Sequence, residues 1–202
     1  MDFKKGNQTA CRLQNKNGVN KMAIREKGVT VWFTGLPCSG KTTIADRVAK
    51  ILRAEDYKVE RLDGDIVRQG LTSDLGFSKE DRDENIKRIS FVSNLLTRNG
   101  VVVLATFVSP YKERRNLSRN EIKDFVEIYT RCSFEECLRR DVKGMYKKAL
   151  AGEIKGFTGV NDPYEEPENP ELIIDTDKES LDESVRKVMN RLFELGYYHK
   201  KM

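Results

Sequence analysis

Apolar residues along this 202-residue chain follow two rhythms in turn. Val29 to Thr34 is an unbroken β-branched and aromatic run, the pattern of a strand buried on both faces. Ile44, Val48, Ile51 and Leu52 then recur at helical spacing. The exchange repeats. Short apolar runs predict strands over residues 58–62, 101–105, 125–130 and 172–175, and periodic segments predict helices over 80–98, 111–123, 134–141 and 181–195. Asn99-Gly100 closes the longest helix as a C-cap, and Ile66 to Gly70 reads as a single helical turn. Strands alternating with helices predict a three-layer α/β domain around a parallel sheet.

Two stretches carry neither rhythm. Residues 1–24 are polar, rich in Asn, Gln, Lys and Gly, and read as a flexible arm ahead of a domain over 25–202. Residues 143–170 hold Gly144, Gly152, Gly156, Gly159, Pro163, Pro167 and Pro170 among charged residues. So long a loop-like stretch inside one domain predicts a functional segment, a Gly-rich lid.

Between the first strand and helix lies Gly35-Leu36-Pro37-Cys38-Ser39-Gly40-Lys41-Thr42-Thr43. G-x-x-x-x-G-K-[ST] between a strand and a helix is the phosphate-binding P-loop in its required context. Glycines let backbone N–H groups turn onto phosphate oxygens, and the helix N-terminus adds partial positive charge. Lys41 is expected at the β- and γ-phosphates and Thr42 on a Mg²⁺ ion. The fold predicted is thus a P-loop nucleoside triphosphate hydrolase-type α/β domain.

Charge refines the picture only by its location. The net +5 comes from residues 1–28, with seven Lys or Arg against two Asp or Glu, and the remainder is formally neutral. A basic tail does not make a nucleic-acid surface, and local cations suffice for a small anion. No stretch approaches the roughly 20 apolar residues of a membrane span, and no apolar signal region opens the chain, so a cytoplasmic location is expected. Cys132 and Cys137 read as small core residues, and one histidine, His199, makes histidine-based chemistry improbable.

Many P-loop enzymes place an acid at the end of the third strand, but here it ends Leu104-Ala105-Thr106. The second predicted strand instead ends in Asp63-Gly64-Asp65, at the sheet edge where ligands bind. Asp65 is the first choice for organising Mg²⁺ or taking a proton from an acceptor hydroxyl, Asp63 the second. The alternative is an Asx-turn capping the following helix. A small-molecule kinase fits these parts.

Several motifs then carry a resemblance. Leu62-Asp63-Gly64-Asp65-x-Val67-Arg68-x-Gly70-Leu71, Asp74-Leu75-Gly76-Phe77-Ser78 and Asp81-Arg82-x-Glu84-Asn85-Ile86 resemble the acceptor-site motifs of adenylylsulfate kinases. So do Phe107-Val108-Ser109-Pro110-Tyr111, Arg140-Asp141-Val142-Lys143-Gly144 and Ala151 to Gly159, all in family order over about residues 25–195. The resemblance implies transfer of the γ-phosphate of ATP to the 3′-hydroxyl of adenylylsulfate (APS), giving 3′-phosphoadenylylsulfate (PAPS), with Mg²⁺ and in a homodimer. Alternatives are another small-molecule P-loop kinase or a nucleotide-binding protein without turnover.

By the same resemblance, Arg68 and Arg82 meet the phosphosulfate, Asn85 and the Val108-Ser109 region add hydrogen bonds, and Phe77 and Phe157 sandwich the adenine. Phe77 reads equally as a core aromatic. Lys143 is expected near the phosphates, while Arg140 contacts ATP or is an ordinary helix-end charge. Ser109 matches a proposed phosphoserine position, but in-line transfer needs only Lys41, Mg²⁺ and Asp65, so substrate contact is its expected role. Cys38 stands where the family commonly has Gly or Ala, Ile66 where Asn is frequent, and Val160-Asn161 where Ile-Asp is typical.

Overall fold

The computed structural model describes residues 27–199, so the arm expected over 1–24 lies outside the described residues. Strand β1 (Val29–Thr34), every residue buried, runs at the centre of the sheet. The loop after it enters α1 (Lys41–Ala54), followed by β2 (Val59–Asp63), the short α2 (Gly64–Val67) and α3 (Lys79–Thr97). Next come β3 (Val102–Thr106), α4 (Lys112–Glu121), β4 (Phe125–Arg131) and α5 (Phe134–Arg140). α6 (Met145–Leu150), β5 (Leu172–Asp175) and α7 (Leu181–Glu194) complete the order.

The five strands are all parallel, in the order β2-β3-β1-β4-β5, with Val31 beside Leu104 on one side and Val126 on the other. Alternate residues of β1 face opposite layers. Val29, Val31 and Phe33 pack with Ile44, Val48 and Leu52 of α1 and Val185, Val188 and Leu192 of α7. Trp32 faces the other layer, against Ile86 and Ile89 of α3. Each such buried side chain contributes roughly 1.5–3 kcal/mol, enough in sum to offset the ordering of the chain. A third, smaller cluster joins Leu36 and Cys38 of the P-loop to Cys132, Cys137, Tyr146, Phe157 and Val160.

The elements expected from the periodicity are all present, with ends shifted by at most a few residues. Ser78 caps α3 by accepting from the Asp81 N–H, and Ser180 with Glu183 forms a capping box on α7. One expectation needs correction: residues 143–170 are not loop throughout, because α6 lies within them. Gly144, at φ 66°, opens that helix, and Tyr146 and Ala149, three residues apart, form its buried face. From β1 the chain winds to β2 and β3, then crosses to β4 and β5. The loops after β1, β2 and β3 therefore gather at one edge of the sheet.

Candidate active site

The P-loop geometry follows from its glycines. A Cβ on Gly35 would lie 2.4 Å from the Thr130 carbonyl, and its φ of 149° is one that side chains disfavour. Gly40, at φ 97°, turns the chain into α1 so that Lys41 opens the helix. Leu36, Pro37, Cys38 and Gly40 are partly exposed, Ser39 is buried, and Thr42 and Thr43 are exposed. Lys41 folds back on its own loop: Nζ donates to the Gly35 carbonyl at 2.9 Å, the Leu36 carbonyl at 2.7 Å and Ser39 Oγ at 3.3 Å. Burial brings its ammonium down to about 8. Arg140 sits beside the loop, donating to the Cys38 carbonyl at 3.4 Å and the Thr176 carbonyl at 2.7 Å. Its helix-end position and its place at the phosphate loop are therefore one and the same.

Of the two candidate acids, Asp63 and not Asp65 lies on Thr42. Thr42 Oγ1 donates to Asp63 Oδ2 at 2.8 Å, Thr106 Oγ1 donates to the same oxygen at 2.7 Å, and the Asp65 N–H donates to Asp63 Oδ1 at 3.0 Å. Burial pushes the Asp63 carboxyl up, but these bonds and the Arg61 charge outweigh it and hold the group below the usual carboxylate range. The Asx cap weighed as an alternative is also real: Asp63 is the N-cap of α2. Asp65 points outward, exposed, and its carboxylate pairs with Lys143 from the segment after α5. Thr42 thus meets Asp63 rather than the Asp65 expected beside it: Asp63 ends β2, and the first turn of α2 carries residue 65 away.

The remaining acceptor-side residues converge on the loops around α3. Arg68 stacks its guanidinium 4.3 Å from the centroid of the exposed Phe77 ring and donates to the Leu75 and Gly76 carbonyls at 3.0 Å. Burial and the neighbouring Arg82 charge lower its basicity, and Asp81 offsets part of this. Arg82 is already engaged: it donates to the Phe77 carbonyl at 3.0 Å, to Thr158 Oγ1 at 2.6 Å and to the Gly156 carbonyl. It clamps the residues flanking Phe157 to those around Phe77, a role its motif did not suggest. Asn85 is buried, and its side-chain oxygen has no partner. Phe157 is partly buried, its ring edge-on to Tyr146 at 4.9 Å.

Ser109 is not presented as a nucleophile. It is 4 % exposed, its hydroxyl accepts from Trp32 Nε1 at 3.1 Å and donates to Thr34 Oγ1 at 3.1 Å, and its carbonyl accepts from the buried Arg115 at 2.5 Å. Thr34 in turn donates to the Val108 carbonyl at 2.8 Å. These bonds hold residues 108–109 in a fixed turn, with Ser109 at φ 39°. Sequence reasoning missed Arg61, Thr106, Arg115, Tyr146 and Thr176, none of which lies in a motif. Only the fold brings them to the loops they brace.

A phosphate-binding loop at the edge of a parallel sheet, facing two acids and a basic, aromatic-rimmed acceptor side, defines a P-loop kinase of a small molecule. The chain belongs to the adenylylsulphate kinase family, whose model matches residues 27–175. The adenylyl-sulfate kinase of a Picosynechococcus species is 62% identical over 174 residues, 86% of this chain and 98% of that one. Among solved structures, the APS kinase of Mycobacterium tuberculosis in complex with AMPPNP and APS is 43% identical with a TM-score of 0.80, covering 83% of this chain and 98% of its own. A hexameric APS kinase from Thiobacillus denitrificans is 37% identical with a TM-score of 0.67, over 87% of this chain and 31% of that one.

Proposed function

We propose that this protein transfers the γ-phosphate of ATP to the 3′-hydroxyl of APS, giving PAPS and ADP. The observation that carries the acceptor is the grouping of Arg68 and Arg82 between Phe77 and the residues flanking Phe157, with the unpartnered side-chain oxygen of Asn85 one turn further along α3. A phosphosulfate supplies an anion for the Arg68 guanidinium, which stacks on Phe77 beside the Arg82 charge, and adenine supplies a flat face for the rings. The N–H groups of residues 35–43, with Lys41 and Arg140, take the ATP phosphates. On binding, Lys41 leaves its loop carbonyls for phosphate oxygens.

The oxygen donors Thr42 Oγ1 and Asp63 Oδ2, 2.8 Å apart, fit Mg²⁺, which is held by one or two carboxylates together with phosphates. Bound there, the ion neutralises charge on the transferred phosphoryl group. Asp65 accepts the proton of the 3′-hydroxyl, which requires its pair with Lys143 to part. Lys143 is then released towards the phosphates. Ser109 shapes the acceptor loop with Val108. Residues 143–170 act as the lid, and residues 1–24 as an arm outside the 25–202 domain. The proposal includes a homodimer, for which the hexameric relative supports self-association only, and a cytoplasmic location.

The test is a coupled assay of ADP release with Mg²⁺-ATP, comparing APS with AMP and identifying the product by mass. The expected result is APS-dependent turnover to PAPS, reduced at least about 100-fold in Asp65→Ala, the scale of a lost general base. Turnover with AMP and not APS would leave a P-loop kinase with a different acceptor.

A further inference from the structure

The lid and the P-loop share one small core, and a single side chain spans it. Tyr146, fully buried on α6, donates its hydroxyl to the Pro37 carbonyl of the P-loop at 3.0 Å. Its ring meets Phe157 edge-on at 4.9 Å and Phe134 at 5.7 Å. Burial pushes the phenol well above its ordinary range, so it remains a donor at every working pH. A second contact lies beside it: a Cβ on Gly159 would come within 2.9 Å of Leu36 Cδ2, so lid backbone rests directly on the loop. A shift of the Pro37 carbonyl when phosphates fill the loop therefore acts on the Tyr146 hydroxyl, and through the ring on Phe157. The lid cannot absorb that shift freely, because Arg82 fixes residues 156 and 158 to the Phe77 loop.

We infer that Tyr146 is a positioning residue that couples the nucleotide loop to the acceptor side, so that nucleotide in the P-loop and an adenylyl acceptor at Phe157 each strengthen binding of the other. The inference rests on the acceptor reading given above. Its physical content is a coupling free energy, which must be reciprocal: the factor by which nucleotide tightens the acceptor equals the factor by which the acceptor tightens nucleotide. Loss of one neutral hydrogen bond leaves the packing of Tyr146 intact, so Tyr146→Phe isolates the link.

The test measures APS binding by calorimetry with and without Mg²⁺ and a non-hydrolysable ATP analogue, and the analogue with and without APS. The wild-type protein is expected to show a tightening of at least about five-fold in both directions, the lower end of measured couplings. In Tyr146→Phe both ratios fall towards one. Phe157→Leu, which keeps the hydroxyl bond but removes the ring edge, lowers them as well. A tyrosine that only stiffens the fold would lower the melting temperature and weaken both ligands alike, with the ratio unchanged. That result, or a wild-type ratio of one, would overturn the inference. A wild-type protein that binds the analogue but not APS would instead overturn the acceptor reading.

Discussion

Lys41 illustrates how a motif residue acquires a second property once it is folded. The sequence assigns it to phosphate, whereas the structure shows it buried against the Gly35 and Leu36 carbonyls, with its ammonium brought down to about 8. Phosphate binding requires the charged form, which predominates below that value and is lost above it. ATP affinity is therefore expected to be flat up to about pH 8 and then to weaken, approaching tenfold per pH unit. Nucleotide titrations from about pH 7 to about pH 9.5 check this, and constant affinity across the range would refute it. Asp63 and Asp65 show the same limit of residue-level reading. Both are legible as acids at a strand end, but which one meets Thr42 depends on where β2 stops and α2 turns, a matter of two residues.

At the scale of elements, Arg82 ties α3 to residues 156–158 of the segment proposed as a lid. The D-R-x-E-N motif marked Arg82 as a substrate cation, yet in the folded chain its forked donors bind Phe77, Gly156 and Thr158, with Asp162 3.5 Å away. Lysine keeps the charge but cannot serve several carbonyls from one plane. Arg82→Lys is expected to lower kcat/KM for the acceptor at least about tenfold, matching the roughly 1.5–3 kcal/mol of a charged hydrogen bond. Limited proteolysis should also cut residues 151–157 faster, and an unchanged cleavage rate would remove the clamp from the argument. α6 escaped the sequence reading because a helix of six residues gives barely two turns of periodicity. Strands such as β1 and β3 were plain, since burial on both faces leaves an unbroken apolar run.

For the molecule as a whole, every residue proposed for the site falls between 35 and 157, and the family match begins at residue 27. Removal of residues 1–24 is therefore expected to leave kcat and both KM values within about twofold, within the scatter of surface changes that leave a site intact. A larger loss in steady-state assays would assign the basic arm a part in the reaction. The sequence by itself determined the alternation of strands and helices, the phosphate loop and the family's acceptor motifs, because these depend on local periodicity and on chemistry confined to a few neighbouring residues. Only the tertiary structure decided the strand order β2-β3-β1-β4-β5, the pairing of Thr42 with Asp63, the burial of the Ser109 hydroxyl and the bridge from Tyr146 to Pro37. Each of these joins residues distant in the chain, and such contacts follow from how whole layers pack, which no local pattern encodes.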